Sequence, residues 1–213
     1  MAKYAFVAAT GEPALTVIDV TDPTSPFFVT SILTDLLSDF AYLEGVLYAV
    51  SFNNRSLTCI TADPAPSILG RISGGGAPNF LQNPRQLVPY GNYCYIAIQG
   101  DDGLTIIDIS NPNNPTYAGG IYGAGAPNFL NDSRALAMLD TSHYCMTSRA
   151  EPSFSIIDVS TPAAPVIVGQ VINAAYDTQQ MQISGTRAYL VNNTNDLTIV
   201  NVSDITNPTL IST

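Results

Sequence analysis

The sequence predicts an all-β fold of the β-propeller class, with about five blades of four strands each. Three observations lead there. One apolar segment recurs five times, starting at Leu15, Leu57, Leu104, Phe154 and Leu197, at intervals of 42, 47, 50 and 43 residues. Four copies sit among three further short runs with strand character and the first among two, so a full repeat carries four strands. No stretch of useful length has helical periodicity, and 15 Pro and 15 Gly are scattered at turn positions. Repeats of 40 to 50 residues with four short strands are the pattern of radially packed blades, because one such sheet cannot bury both faces and neighbours in a ring cover each other.

The recurrent segment reads "LTVIDVTDPTSP", "LTCITADPAP", "LTIIDISNPNNP", "FSIIDVSTPAAP" and "LTIVNVSDITNP". Its β-branched residues suit a strand packed on both faces. Its polar end must leave the sheet: Asp, Asn and Ser side chains bond nearby backbone N–H groups, and Pro removes a donor. Asp19, Asp108 and Asp158 share one place in this unit with Asn201 and Thr61. A row of aspartates invites a metal or acid-catalysis reading, but a turn-fixing side chain repeated with its turn explains it more simply.

An apolar run precedes each copy: "YAFVAAT", "LYAVSFN", "YCYIAIQ", "HYCMTSR" and "RAYLVNN". A weaker one follows, as in "FFVTSIL", "PSILGRI", "TYAGGIY", "VIVGQVI" and "PTLIST". Between these triplets lies a fourth run: "DFAYLEG", "RQLVPYG", "ALAMLD" and "QMQISG". With strands named A to D outward from the axis, the motif strand is C, the run before it B and the run after it D. Five B, C and D strands then meet only four A strands, so the first blade lacks its inner strand. The approximate repeats are 1–37, 38–84, 85–132, 133–178 and 179–213, all in one domain. A closed five-bladed ring is the favoured arrangement. The alternatives are a longer parent chain, or a neighbouring molecule adding a strand to the open edge.

The "GLTIIDISNPNNP" unit, with its Gly-containing following strand and the "ALAMLD" and "YCYIAIQGDDGL" runs, resembles the LVIVD repeat family of β-propellers. The resemblance covers essentially the whole chain, strongest over 93–169 and weakest over 31–70. It implies the fold and carries no shared catalytic motif.

Charged side chains are 11% of the chain, 17 acidic against 7 basic, for a net charge near −10. So few cations cannot build the extended cationic surface that a nucleic-acid backbone needs, so nucleic acid is not an expected partner. No apolar run approaches the ~20 residues that span a bilayer, and the start has neither a separate hydrophobic region nor a processing site, so no membrane insertion and no signal peptide are expected. Cys59, Cys94 and Cys145 fall in strand-like runs at irregular spacing and read as packed thiols, not a disulfide framework. They favour synthesis in a reducing compartment, with cytoplasm, virion or a surface assembly all open as the final site.

Strand direction places the D-to-A connections and B-to-C turns at one end of every blade. That end collects Glu12, Asp101, Asp102, Glu151 and Asp196 and should be acidic. Two D-to-A connections match beyond the needs of their strands: "GGGAPNFLQNPR" (74–85) and "GAGAPNFLNDSR" (123–134). Gly permits close backbone approach, and Asn-Phe offers an amide beside an aromatic face. The candidate binding residues are Asn79, Phe80, Asn128 and Phe129, with Arg85 and Arg134 near the axis and Asp101 and Asp102 on the adjoining turn. The competing reading is a duplicated blade whose Phe plugs between blades while Arg pairs with loop acids.

Catalysis finds little support. His143 lies in an A-to-B turn, at the opposite end from the acidic loops, so no Ser-His-Asp set forms with them. One His without clustered Cys holds no zinc, and "GDDG" is too short for a calcium loop. No metal, cofactor or enzymatic activity is expected. The leading expectation is an interaction module that binds a protein or glycan through the loop face. A structural subunit of a virion or surface assembly, self-associating through its open sheet edge, is the alternative. A carbohydrate-active enzyme using loop carboxylates is a third.

Overall fold

The computed structural model describes residues 3–8, 13–172, 177–193 and 196–212, and every regular element among them is a strand. The first blade holds β1 (Tyr4–Ala8), β2 (Ala14–Asp19) and β3 (Phe27–Leu33). The second holds β4 (Asp39–Leu43), β5 (Val46–Ser51), β6 (Ser56–Thr61) and β7 (Ile68–Ser73), and the third β8 (Pro84–Tyr90), β9 (Tyr93–Ile98), β10 (Gly103–Asp108) and β11 (Thr116–Tyr122). The fourth comprises β12 (Ser133–Met138), β13 (His143–Ser148), β14 (Ser153–Asp158) and β15 (Val166–Ile172), and the fifth β16 (Thr178–Ser184), β17 (Arg187–Asn192), β18 (Leu197–Asn201) and β19 (Thr209–Ser212). Each sheet is an antiparallel meander in chain order, and the first lacks the inner strand, as the strand count anticipates.

The turn that ends each C strand closes on itself as its residues require. Asp19, Asp108, Asp158 and Asn201 each accept the backbone N–H two residues on, from Thr21, Ser110, Ser160 and Ser203, at 2.7, 2.9, 2.8 and 3.1 Å. These are turn-fixing contacts and leave the aspartates scattered over separate blades.

Just beyond that turn, C and D strands slip by one residue at the same place in all five blades, between Val17/Ile18, Cys59/Ile60, Ile106/Ile107, Ile156/Ile157 and Ile199/Val200. A bulge increases local twist and swings the outer strand. Gly70, Gly119 and Gly169 stand on the D strand opposite Cys59, Ile106 and Ile156. There the backbone of the next blade's C-to-D turn lies directly on the glycine: a Cβ would meet Pro112 O, Pro162 O and Ile205 O at 2.5, 2.1 and 2.0 Å. The repeated sentence of the sequence is thus a docking element, a rigid turn seated on a bare stretch of the preceding blade.

The core lies between blades. On β9, Cys94, Ile96 and Ile98 face the second blade while Tyr95 and Ala97 face the fourth, which explains why B strands read as unbroken apolar runs. Four apolar layers join consecutive blades, centred on Leu15 and Leu47, on Leu57 and Ile96, on Leu104 and Tyr144, and on Phe154 and Leu190. Among the described residues no such layer joins the fifth blade to the first. Val191 and Leu197 on the fifth are 52% and 48% exposed, and Val7 and Leu33 on the first are 44% and 78% exposed. Among the described residues the fifth and first blades are thus not joined as consecutive blades are, and the first sheet has three strands.

The three cysteines are free and buried. Burial pushes the Cys59 and Cys145 thiols up to about 12, which leaves them unreactive and acting as small apolar side chains.

Candidate binding face and axial cavity

The two matching loops have the same build. Each contains a cis Ala-Pro bond, Ala77-Pro78 and Ala126-Pro127, and each holds its Phe at positive φ, +49° for Phe80 and +51° for Phe129. Asn79 Nδ2 donates to Ser73 O at 2.8 Å and Asn128 Nδ2 to Tyr122 O at 2.7 Å, so both amides close their own loop. The Phe carbonyls accept Thr105 Oγ1 at 2.6 Å and Ser153 Oγ at 2.7 Å from the C strand of the blade that follows. Phe80 is half-buried and stacks on Tyr122 at 4.5 Å between ring centroids, with Tyr117 at 5.7 Å. Phe129 is likewise half-buried.

Carboxylates of the B-to-C turns hold these loops from the side. Asp101 accepts Gly76 N on both oxygens, at 3.0 and 3.1 Å, and Gln82 N at 2.8 Å. Glu151 does the same for the second loop, accepting Gly125 N at 2.5 Å and Asn131 N at 3.3 Å. Asp102 accepts Asp132 N at 3.0 Å. The two kinds of connection therefore share one face, and three acids predicted for it cradle backbone N–H groups. Asp196 lies in the fifth blade's B-to-C turn, where its carbonyl accepts Asn192 N at 3.1 Å, and Glu12 lies outside the described residues. His143 stands at the A-to-B turn and pairs with Asp140 at 2.9 Å. The loop tips, Ala77, Pro78, Ala126 and Pro127, are exposed, as are Gly74 and Ala124.

The A strands carry the loop face to the axis. Ser38, Asp39, Arg85, Gln86, Arg134, Gln179 and Gln180, from four blades, line one cavity of about 160 Å³. Arg85 and Arg134 come from the predicted set. The other lining residues were not anticipated, although a signal exists: in three of the four A runs a polar residue, Asp39, Gln86 or Gln180, directly precedes the first apolar one. At this position a side-chain oxygen can reach the next A strand. Asp39 accepts Leu87 N at 2.9 Å and Gln86 Oε1 accepts Leu136 N at 2.8 Å, stitching the second blade to the third and the third to the fourth. Burial pushes the Asp39 carboxyl up to about 6 against the lowering effect of its bonds from Leu87 and Phe40 N–H.

Both guanidinium groups are held in place. Arg134 donates Nε and Nη2 to the two oxygens of buried Asp132, at 3.0 and 3.2 Å. Arg149 Nε also donates to Asp132, at 2.7 Å. Arg85 lies over the Phe52 ring, 4.5 Å from its centroid, and donates Nε to Gln99 Oε1 at 2.6 Å. Among the described residues no carboxylate pairs with Arg85. Burial, then the like charge of Arg134, lowers its pKa. Three of the chain's seven basic residues thus gather at this mouth in a strongly acidic protein. No group of three or more His, Cys, Asp or Glu able to hold a metal occurs among the described residues.

Blades joined by apolar layers, with a rigid two-loop face around a polar axial cavity, define a repeat β-propeller. The LVIVD repeat model matches residues 2–34, 85–122, 150–173 and 175–213, more than half of the chain, and the chain belongs to the LVIVD repeat family. No curated protein matches the sequence. Among solved structures, a protein from Lactobacillus plantarum is similar, with a TM-score of 0.81 at 12% identity over 97% of this chain and 66% of its own. The periplasmic gluconolactonase of Pseudomonas aeruginosa gives 0.76 at 14% identity over 99% and 66%, and a functionally unknown protein from Desulfotomaculum acetoxidans gives 0.71 at 13% over 99% and 71%. At such identities the likeness is one of fold. The chain spans about two thirds of the length of the solved chains it matches.

Proposed function

We propose that this propeller is a non-enzymatic interaction module whose D-to-A and B-to-C loop face recognises a glycan or protein. The observation that carries the reading is the paired construction of that face: two loops of the same conformation, each braced by a turn carboxylate, flank one polar cavity on the axis. Bracing of this kind preorganises a surface and lowers the entropy lost on binding. It also occupies the acids that a glycosidase would need free, since Asp101, Asp102 and Glu151 all accept backbone N–H bonds. Gluconolactonase names among the neighbours come with 12 to 14% identity, which brings a likeness of fold to this chain.

The test is a glycan array read with the labelled chain and with an A77R/A126R variant, whose long side chains stand on the exposed loop tips. Selective retention of the wild type, lost in the variant, is the expected result. Retention that the variant leaves unchanged, or hydrolysis of the retained glycan, overturns the reading. Absence of any retention removes the glycan half and leaves a protein partner.

The uncovered faces of the first and fifth blades favour a second reading, self-association into an assembly. Val191 and Leu197, paired across β17 and β18, are exposed apolar side chains of the kind a neighbouring blade buries elsewhere. Light scattering on the wild type and on a V191K/L197K variant tests it. Assembly of the wild type that the variant abolishes supports it, and a wild-type monomer at high concentration refutes it.

A further inference from the structure

The axial cavity has a charge and a geometry that the interaction-module reading does not by itself require. Its charged lining consists of two guanidinium groups, Arg85 and Arg134, and one carboxyl, Asp39, and the rest is Ser38 and three glutamine amides. A cation has one lining acid to meet there and two guanidinium groups to repel it, of which, among the described residues, only Arg134 has a carboxylate partner, Asp132. A neutral sugar could bond the amides but would cover the Arg85 charge without compensating it, which costs more than leaving it wet. The space is too small for a folded peptide and fits the terminal group of a ligand.

The two arginines are also set in advance. Arg134 is locked by both oxygens of Asp132, and Arg85 by the Phe52 ring on one side and Gln99 at Nε. With Nε engaged, Arg85 keeps both terminal nitrogens free of any protein carboxylate among the described residues. A planar fork held in one orientation, half-buried and short of a counter-charge, matches the two oxygens of a carboxylate or phosphate.

We propose that the axial cavity is an oxyanion site, in which Arg85 and Arg134 grip the carboxylate or phosphate group of a ligand lying over the loop face. The proposal rests on that face being the recognition surface and adds what its centre selects. Asp39 opposes the anion only while ionised, and its carboxyl is engaged by Leu87 N on one oxygen. Gln179 and Gln180, exposed on the fifth blade, supply neutral donors on the far wall.

The experiment is an NMR titration of the arginine Nε–H signals of the whole chain with inorganic phosphate, with D-glucuronate and with D-glucose, at constant ionic strength so that screening does not change. Saturable shifts of the Arg85 signal with phosphate or glucuronate, and none with glucose, are expected, and the tighter of the two anions identifies the group. R85Q should weaken that binding about tenfold or more, and R85K should recover only part of it because it restores charge without the fork. Non-saturable shifts with both anions, or undiminished affinity in R85Q, overturn the site. The wild-type titration decides the question even where R85Q does not fold. Glucose bound as tightly as glucuronate removes the oxyanion site while leaving the interaction module standing. Anion binding with an array that retains nothing does the reverse.

Discussion

Replacing Gly119 by alanine tests the seam between the third and fourth blades. A Cβ at this position would lie 2.1 Å from Pro162 O, 2.8 Å from Ala163 Cα and 3.0 Å from Ala163 C. All three are backbone atoms of the fourth blade's C-to-D turn, so no side chain can swing away. An ordinary carbon–oxygen approach needs about 3.3 Å, and the turn must retreat by about 1 Å. A gap of that size forfeits roughly a quarter to a half of the dispersion attraction of the atoms lining it. Overpacking of this kind costs about 1 to 3 kcal/mol. For a domain of this length each kcal/mol lowers Tm by about 2 to 4 °C, so a fall of about 2 to 12 °C is expected in a thermal melt followed by circular dichroism. Hydrogen exchange should show the loss of protection centred on residues 160–170. Gly185→Ala is the control: nothing lies within 4 Å of its Cβ, so its cost is only that of a left-handed backbone, and no seam opens. Alanine otherwise suits a strand better than glycine by about 0.5 to 1 kcal/mol. A Tm for Gly119→Ala at or above the wild type would therefore mean that the turn is not seated on this glycine, and the docking argument would fall.

Other expectations are simpler to state. Asp101→Ala leaves Gly76 N and Gln82 N without their acceptor and should cost about 1 to 3 kcal/mol, read as faster hydrogen exchange confined to residues 74–83 with the other blades unchanged. The Asp39 carboxyl, raised to about 6 in the folded state, holds its proton where the unfolded chain has lost it. Its contribution is therefore present at low pH and lost as pH rises from about 4 to about 6. Asp39→Asn should abolish that slope and stabilise the protein at pH 7 by about 1 to 3 kcal/mol, because Gln86 does the same stitching work one blade on without a charge. A variant no more stable than the wild type in urea titrations at pH 7 would show that burial does not penalise this carboxylate.

Much of the architecture was legible because the repeat is redundant. Five copies of an apolar strand ending in Asp-Ser-Asn-Pro chemistry specify a turn by local bonds alone, and Asp108 to Ser110 N needs no partner from elsewhere. Strand counting exposed the missing inner strand for the same reason. The site was half legible. Arg85 and Arg134 stood out through the loops that precede them, whereas Ser38, Gln86, Gln179 and Gln180 reach the cavity only because A strands from four blades converge. Nothing local marks Gln179 as a neighbour of Ser38.

The sequence by itself determined the strand content, the period, the turn chemistry and the side of each blade on which the acids fall, because all of these follow from alternation and from bonds spanning a few residues. Only the tertiary structure decided that Asp101 and Glu151 brace loops, that Asp132 and not a turn acid pairs with Arg134, and that Arg85 keeps no carboxylate among the described residues. It decided, too, that among the described residues no apolar layer joins the fifth blade to the first. Those outcomes depend on distances between blades, which are set by how the bulged outer strands and glycine seams stack, and no single repeat contains that information.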